Sequence, residues 1–216
     1  MKIAISGLSG CGNTTACNNV GKALGLKGIN YTLRNVAVET KIPLNEIQAL
    51  AAKHPEVDCA LDAKLATLAS GEQNCIVGTR LAGWIIDADL SVWLQASLAK
   101  RAERISSREG KNLQAVMVET DKRDNDNIAR YKRLYDIDTL HHEHFDLVVN
   151  TERLSQEQVA ALIVAAAKLA ENNWERPKNP YPEAIKRIIA TKLTAESVNS
   201  IKDARVKQVI SCLQFK

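Results

Sequence analysis

Nine residues near the start of the chain have the types and spacing to hold phosphate. Gly7, Leu8, Ser9, Gly10, Cys11, Gly12, Asn13, Thr14 and Thr15 make the frame G-x-x-x-x-G-x-[ST]. Glycines let backbone N–H groups turn inward with no Cβ in the way. A helix that opens at the end of the loop adds positive potential for an anion. A threonine hydroxyl suits Mg²⁺, and Thr14 is the candidate ligand. Lysine usually stands where this chain has Asn13. Asparagine donates hydrogen bonds to phosphate oxygens but brings no charge, so other cations must neutralise the site. Arg101, Arg104, Arg108, Arg123, Arg130 and Arg133 supply them, with acidic residues interleaved. Such a segment reads either as a solvated hairpin laced with ion pairs or as a lid. In a lid, planar guanidinium forks close over phosphates and exclude water. His141, His142 and His144 form a third cluster, HHEH. Only the i, i+3 pair fits helical ligand spacing, so a solvated loop is expected in preference to a metal site.

These groups need elements to position them. Lys2–Ser6 reads as a buried strand leading into the glycine loop, and Asn13–Leu24 carries apolar residues at helical spacing. A weak second strand is expected at Ile29–Leu33. Helices are expected at Leu44–Ala52 and Asp58–Ala69, with Pro43 and Pro55 at or before their starts. Asn74–Val77, Asp89–Leu94 and Phe145–Asn150 read as strands. Leu98–Arg108 and Leu113–Tyr135 read as charged helices, and Ser155 with Gln158 makes a capping box for another. Strands separated by helices imply α/β architecture: a parallel sheet in three layers, flanked by crossover helices.

The chain has 216 residues, 45% hydrophobic and 25% charged, a globular balance. No apolar run is long enough to span a bilayer, and the N-terminus turns polar too soon for a secretory signal. The five cysteines are odd in number and form no CxxC pair, which favours a reducing, cytoplasmic setting over a disulfide framework. Net charge is +4. Residues 172–216 hold nine basic and four acidic residues, while the first 171 are nearly neutral. The shift coincides with the Pro-containing stretch NNWERPKNPYPEA, so a boundary is expected near Asn172. Beyond it, Ala184–Leu193 and Ser197–Leu213 read as amphipathic helices that pack on the core or on a protein partner. Net +5 over this tail makes nucleic acid an unlikely partner.

Other segments resemble one family. Val77–Trp84 (VGTRLAGW) is similar to the E-G-R-L-S-G-W pattern of cytidylate kinases, in the branch found in archaea. Arg101–Ile105 and Arg108–Gly110 resemble its R-A-E-R-I and R-E-G. Glu119-Thr120 with Arg123, then Arg130–Lys132 and Tyr135–Asp138, follow its lid pattern E-T-x-x-R, R-Y-K and Y-G-I-D. Asp146–Thr151 is similar to D-L-V-I-D-T, and Pro55–Asp58 with Asp62 to P-E-I-D-x-x-I-D. Arg34 falls at the arginine of F-R-E-M-A. The resemblance runs over about residues 1–165 and not into the tail.

It implies a P-loop nucleoside monophosphate kinase that moves the γ-phosphoryl of ATP onto CMP or dCMP with Mg²⁺. Residues 1–171 would be that domain, with a monophosphate-binding region at about 31–70, a lid at about 104–135, and 172–216 as a basic helical extension. Carried over by position, Gly7 to Thr15 hold the ATP phosphates. Arg34 and Arg80 hold the acceptor phosphate, while Asp58 and Asp62 meet cytosine or ribose. Arg104, Arg108, Arg123 and Arg130 are lid or acceptor-site cations, and Arg80, Arg123, Arg130 and Asn13 carry catalysis. Gly78, Thr79 and Asp136 depart from the pattern, Gly78 by replacing an acid that helps organise Mg²⁺. Asp124 or Asp126 could supply another carboxylate. The alternative is a degenerate nucleotide-binding module that acts through its tail on RNA or a protein.

Overall fold

The computed structural model describes residues 1–171 and 179–214. Five strands form one sheet: β1 (Lys2–Gly7), β2 (Lys27–Ile29), β3 (Cys75–Gly78), β4 (Leu90–Gln95) and β5 (Leu147–Asn150). Their order is β2-β3-β1-β4-β5, and every pairing is parallel. The helices are α1 (Asn13–Leu24), α2 (Leu33–Thr40), α3 (Leu44–Lys53), α4 (Pro55–Ser70), α5 (Ala82–Ile85), α6 (Leu98–Glu109) and α7 (Leu113–Tyr135). They continue with α8 (Gln156–Ala170), α9 (Tyr181–Lys192), α10 (Ala195–Ser200) and α11 (Ala204–Gln214). Among the described residues, no helix is long and apolar enough to cross a membrane.

Alternation along the central strand sorts the layers. Ile3 and Ile5 point to the face covered by α1 and α8, where they pack with Val20, Val92 and Ile163. Ala4 points to the opposite face, toward Trp84, Trp93, Leu65 and Ile185 of α5, β4, α4 and α9. A third, smaller core lies outside the sheet. Val36 of α2, Ile47 and Leu50 of α3, and Val57 and Ala60 of α4 pack against Ile201, Val206, Val209, Ile210 and Leu213 of the tail. Each fully buried aliphatic side chain contributes about 1.5–3 kcal/mol before entropy is subtracted. The tail therefore covers the helices of the expected monophosphate-binding region.

Two expected elements differ. Ile29–Leu33 is not a strand: β2 ends at Ile29 and α2 opens at Leu33. The β-branched and aromatic residues suggested extension. However, Thr32 accepts from the Arg34 backbone N–H, and the Asn35 side chain accepts from Thr32 N at 2.9 Å, closing a capping box. Ser197–Leu213 is not one helix either. It breaks at Ile201–Asp203, where the Asp203 carboxylate accepts from Arg205 N at 2.9 Å and starts α11 afresh. The capping box of Ser155 and Gln158 is present. The boundary expected near Asn172 lies outside the described residues.

The HHEH segment is only partly a solvated loop. His141 is exposed, but His142 stacks on Trp93 at 4.2 Å, and His144 packs on Trp84 and Tyr181, each at 4.8 Å. These two rings help seal the end of the aromatic core.

Candidate active site

Every segment expected to touch nucleotide lies at the carboxyl end of the sheet. The glycine loop follows β1, Thr79 and Arg80 follow β3, α6 follows β4, and Thr151 follows β5. In an open parallel sheet that end, at the point where strand order reverses, is where a crevice opens. Here it is a cleft of about 2150 Å³ bordered by the loop, α2, α4 and the α6–α7 hairpin. Single-ligand pockets are about 300–1,000 Å³, so the cleft is larger than one such site.

The loop is shaped by backbone geometry. Gly10 and Gly12 take φ of 84° and 103°, which L side chains rarely adopt. A Cβ on Gly10 would also lie 2.9 Å from the Arg101 carbonyl oxygen. Gly12 caps α1, and its carbonyl accepts from Ala16 N at 2.9 Å. Thr14 is exposed and Thr15 half-buried, both bordering the cleft. Asn13 borders the cleft and also makes a contact inside the loop. Its Nδ2 donates to the Gly7 carbonyl at 2.7 Å, so the amide holds the loop's own turn together. Gly78 explains why the acid of the resembling pattern is absent. A Cβ there would lie 2.8 Å from Cys17 Cβ and 3.2 Å from the Asn13 carbonyl oxygen.

The arginines divide into two groups. Arg80 Nη2 donates to Ser9 Oγ at 2.8 Å, which places its guanidinium against the loop. Arg123 lies near enough that Arg80's charge, after burial, pushes its pKa down. The Nε atoms of both are buried with no hydrogen-bond partner among the described residues. Both side chains border the cleft. Arg130 sits further along α7, 3.4 Å from the Asp58 carboxylate, and donates to Asn127 Oδ1 at 2.8 Å. Arg34 is exposed at the cleft edge on the first turn of α2.

The second group makes contacts within the protein, although Arg104 and Arg108 also border the cleft. Arg101 is not a lid cation. It is 5% exposed, pairs with the buried Asp124, and donates to the Ser9 carbonyl at 3.0 Å and the Ala96 carbonyl at 3.1 Å. It braces the loop against the base of the hairpin. Asp124 is thereby committed and is not a spare metal carboxylate, whereas Asp126 borders the cleft. Arg104 donates to Thr151 O at 2.6 Å and to Thr151 Oγ1 at 3.0 Å, tying α6 to the end of β5. Arg108 is exposed and paired with Glu109. Arg133 is exposed on α7.

Asp58 and Asp62 lie one turn apart on α4, both buried and both bordering the cleft. Burial raises the Asp58 carboxyl to about 6 against the pull of Arg130. Burial raises Asp62 to about 7, opposed by a hydrogen bond donated by the Tyr135 hydroxyl at 2.6 Å. Tyr135 and Thr151 were not among the expected site residues. Both sit inside segments that match the family pattern, Tyr135–Asp138 and Asp146–Thr151, so the signal was there.

The comparisons with known proteins agree with this geometry. The model of the cytidylate kinase-like family matches residues 2–153. A cytidylate kinase of Pyrococcus abyssi is 38% identical over 167 residues, covering 76% of this chain and 92% of that protein. A cytidylate kinase of Archaeoglobus fulgidus is 36% identical over 172 residues, with 78% and 96% covered. A cytidylate kinase 2 of Borrelia garinii is 39% identical over 168 residues, with 76% and 94% covered. Among solved structures, a shikimate kinase of Bacteroides thetaiotaomicron aligns with a TM-score of 0.50 at 15% identity, covering 79% of this chain and 98% of that one; it speaks to fold alone. An uncharacterised protein of Eubacterium ventriosum aligns at 0.57 and 14%, covering 78% and 98%. The family model over residues 2–153, together with cytidylate kinases 36–39% identical over at least three quarters of the chain, places this protein in the cytidylate kinase-like family of nucleoside monophosphate kinases.

Proposed function

We propose that the chain phosphorylates CMP, with dCMP as a second acceptor, using ATP and Mg²⁺. The observation that carries the choice of base is the buried pair Asp58 and Asp62 at the cleft. Cytosine presents an N4 amino group and uracil a carbonyl oxygen at the same position. Asp58, raised only to about 6, is mostly ionised at neutral pH, and in that form it only accepts hydrogen bonds, so it pairs with the amine and repels the carbonyl. The Tyr135 hydroxyl and Arg130 hold the two acids in place from α7.

In this reading Gly7 to Thr15 cradle the donor phosphates through backbone N–H groups and the start of α1. Arg34 and Arg80 hold the acceptor phosphate, and Arg123 with Arg80 neutralises charge on the group in transfer. The acceptor is already an anion, so no general base is needed; alignment and charge neutralisation carry the acceleration. Closure of the hairpin keeps water from competing for the phosphoryl group. The oxygens at the loop suit a hard cation held mainly by nucleotide phosphates and water. Thr14 borders the cleft, and the buried Thr79 hydroxyl has no hydrogen-bond partner among the described residues. Thr14 would hold Mg²⁺, which when bound would supply positive charge against the donor phosphates. With Asn13 turned to Gly7 and no acid at Gly78, the arginines take a larger share of that neutralisation. Residues 172–216 are an extension to this kinase body.

A coupled ADP-release assay with ATP, Mg²⁺ and each nucleoside monophosphate tests the proposal. CMP is expected to give the highest kcat/KM, and UMP much less. No turnover above the Arg80→Ala background with any acceptor would sink the reading. In that case nucleotide binding without transfer, with RNA or protein binding lost when the tail is altered, would support the degenerate-module alternative.

A further inference from the structure

The tail lies on the back of the helices that form the acceptor side of the cleft. α4 faces both ways: Asp58, Leu61 and Asp62 border the cleft, while Val57 and Ala60 join the tail's core. α2 does the same, with Arg34 at the cleft and Val36 fully buried in that core. Polar groups on α11 then grip the corner between α2 and α3. Gln208 Nε2 donates to the Thr40 carbonyl at 3.1 Å, at the last residue of α2, where helical carbonyls lack partners. Arg205 Nη1 reaches Glu46 Oε2 on the first turn of α3 at 3.2 Å. Cys212 Sγ donates to Glu39 Oε2 at 3.2 Å.

The other end of the tail is fastened elsewhere. Ile185 and Ile189 of α9 are buried in the core beneath the sheet, with Trp84 and Tyr135. Asn179 Nδ2 donates to the Gly83 carbonyl at 2.9 Å. One continuous segment thus joins the sheet body to the acceptor helices. Any displacement of α2 and α3 against the sheet must strain the links between α9 and α11, or break the contacts at Thr40 and Glu46.

We propose that residues 179–214 form a strap that sets the position of the acceptor-binding helices, with Gln208 and Arg205 as positioning residues for the acceptor nucleotide. The proposal rests on reading α2–α4 as the acceptor side. Arg34 and Asp58 touch the ligand; the strap acts on them through α2 and α4 and touches nothing in the cleft. Its effect falls on the acceptor alone, because the donor loop is braced separately by Arg101.

The test uses the full chain with Arg205→Ala and Gln208→Ala together, which leaves the apolar contacts of α11 intact. KM for CMP is expected to rise about tenfold as the acceptor helices lose alignment, with KM for ATP and kcat within about twofold. Arg205→Lys, which keeps a charge opposite Glu46, is expected to restore part of the difference. Amide hydrogen exchange gives a readout independent of turnover. Faster exchange confined to residues 33–53, with β1 and α1 unchanged, is expected. Equal shifts in both KM values, unaltered KM for CMP, or exchange that is unchanged or faster everywhere would overturn the strap. If the wild-type chain turns over no monophosphate, the acceptor reading fails on its own, and the exchange pattern alone decides whether α11 holds α2 and α3.

Discussion

Arg101 and Asp124 allow stability to be separated from donor binding. Their side chains are 7% and 6% exposed, and Arg101 also donates to the Ser9 and Ala96 carbonyls. Asp124→Ala strands a guanidinium in the interior without its counter-charge, a loss of about 3–5 kcal/mol. In a chain of this size that lowers Tm by about 6–20 °C. Replacing both partners with apolar residues of similar volume, Arg101→Met with Asp124→Leu, removes the stranded charge and should recover most of the stability. It does not give the Ser9 carbonyl a new donor. A hydrogen bond from a charged group is worth about 1.5–3 kcal/mol, so KM for ATP in the double variant should stay raised by roughly tenfold or more. Urea unfolding monitored by circular dichroism gives the first quantity, and the coupled assay at saturating CMP gives the second. A loss below about 1 kcal/mol for Asp124→Ala would refute the buried-pair reasoning. Recovery of both stability and KM in the double variant would refute the brace.

Three further outcomes follow from the same geometry. Arg123→Ala should lower kcat by about 10²–10³ with little change in KM for CMP, as expected for a cation that acts on charge developing in transfer; a pure KM effect would move Arg123 to ground-state binding. Asp62 has its carboxyl raised from 3.8 to about 7, so the folded state holds a proton that the unfolded chain has released. Stability should therefore fall as pH rises from about 4 to about 7, by at most about 4 kcal/mol from this group, and Asp62→Asn should flatten that slope in urea midpoints measured across the range. Gly10→Ala should cost about 1–2 kcal/mol in backbone strain alone, and more from the 2.9 Å approach to the Arg101 carbonyl; calorimetry showing no loss of Tm would contradict the left-handed conformation there.

Local signals made much of this legible. The glycine loop, the cap at Ser155 and the prolines at the starts of α3 and α4 act within a few residues, and each reads from order alone. The helix at Leu33 was also available, since Thr32 and Asn35 have capping-box spacing, but the strand-forming character of Ile29 and Tyr31 outweighed it. Partners distant in sequence were not legible. Arg101 and Arg123 are the same residue type in the same charged segment, yet one meets Asp124 and a backbone carbonyl while the other faces Arg80. Only the packing of α6 on α7 decides which guanidinium is consumed by structure. Asn13 is similar: nothing in its type shows that its amide also donates to the Gly7 carbonyl. His142 and His144 looked solvated because the Trp84 and Trp93 rings that cover them come from segments about fifty residues earlier.

The small core shared by the tail and the acceptor helices also has an evolutionary consequence. Among the described residues twelve buried apolar side chains make it, and Ile201, Val206, Val209, Ile210 and Leu213 come from the tail. Once an added segment covers such a surface, α2–α4 are free to accumulate apolar residues that water would otherwise penalise. Each such change makes the segment harder to delete, because deletion now exposes Val36, Ile47 and Val57 together. An appendage that begins as dispensable becomes entrenched through its host's own drift. Deleting the tail from this chain should therefore leave α2–α4 with that apolar surface bare and unable to pack as they do here.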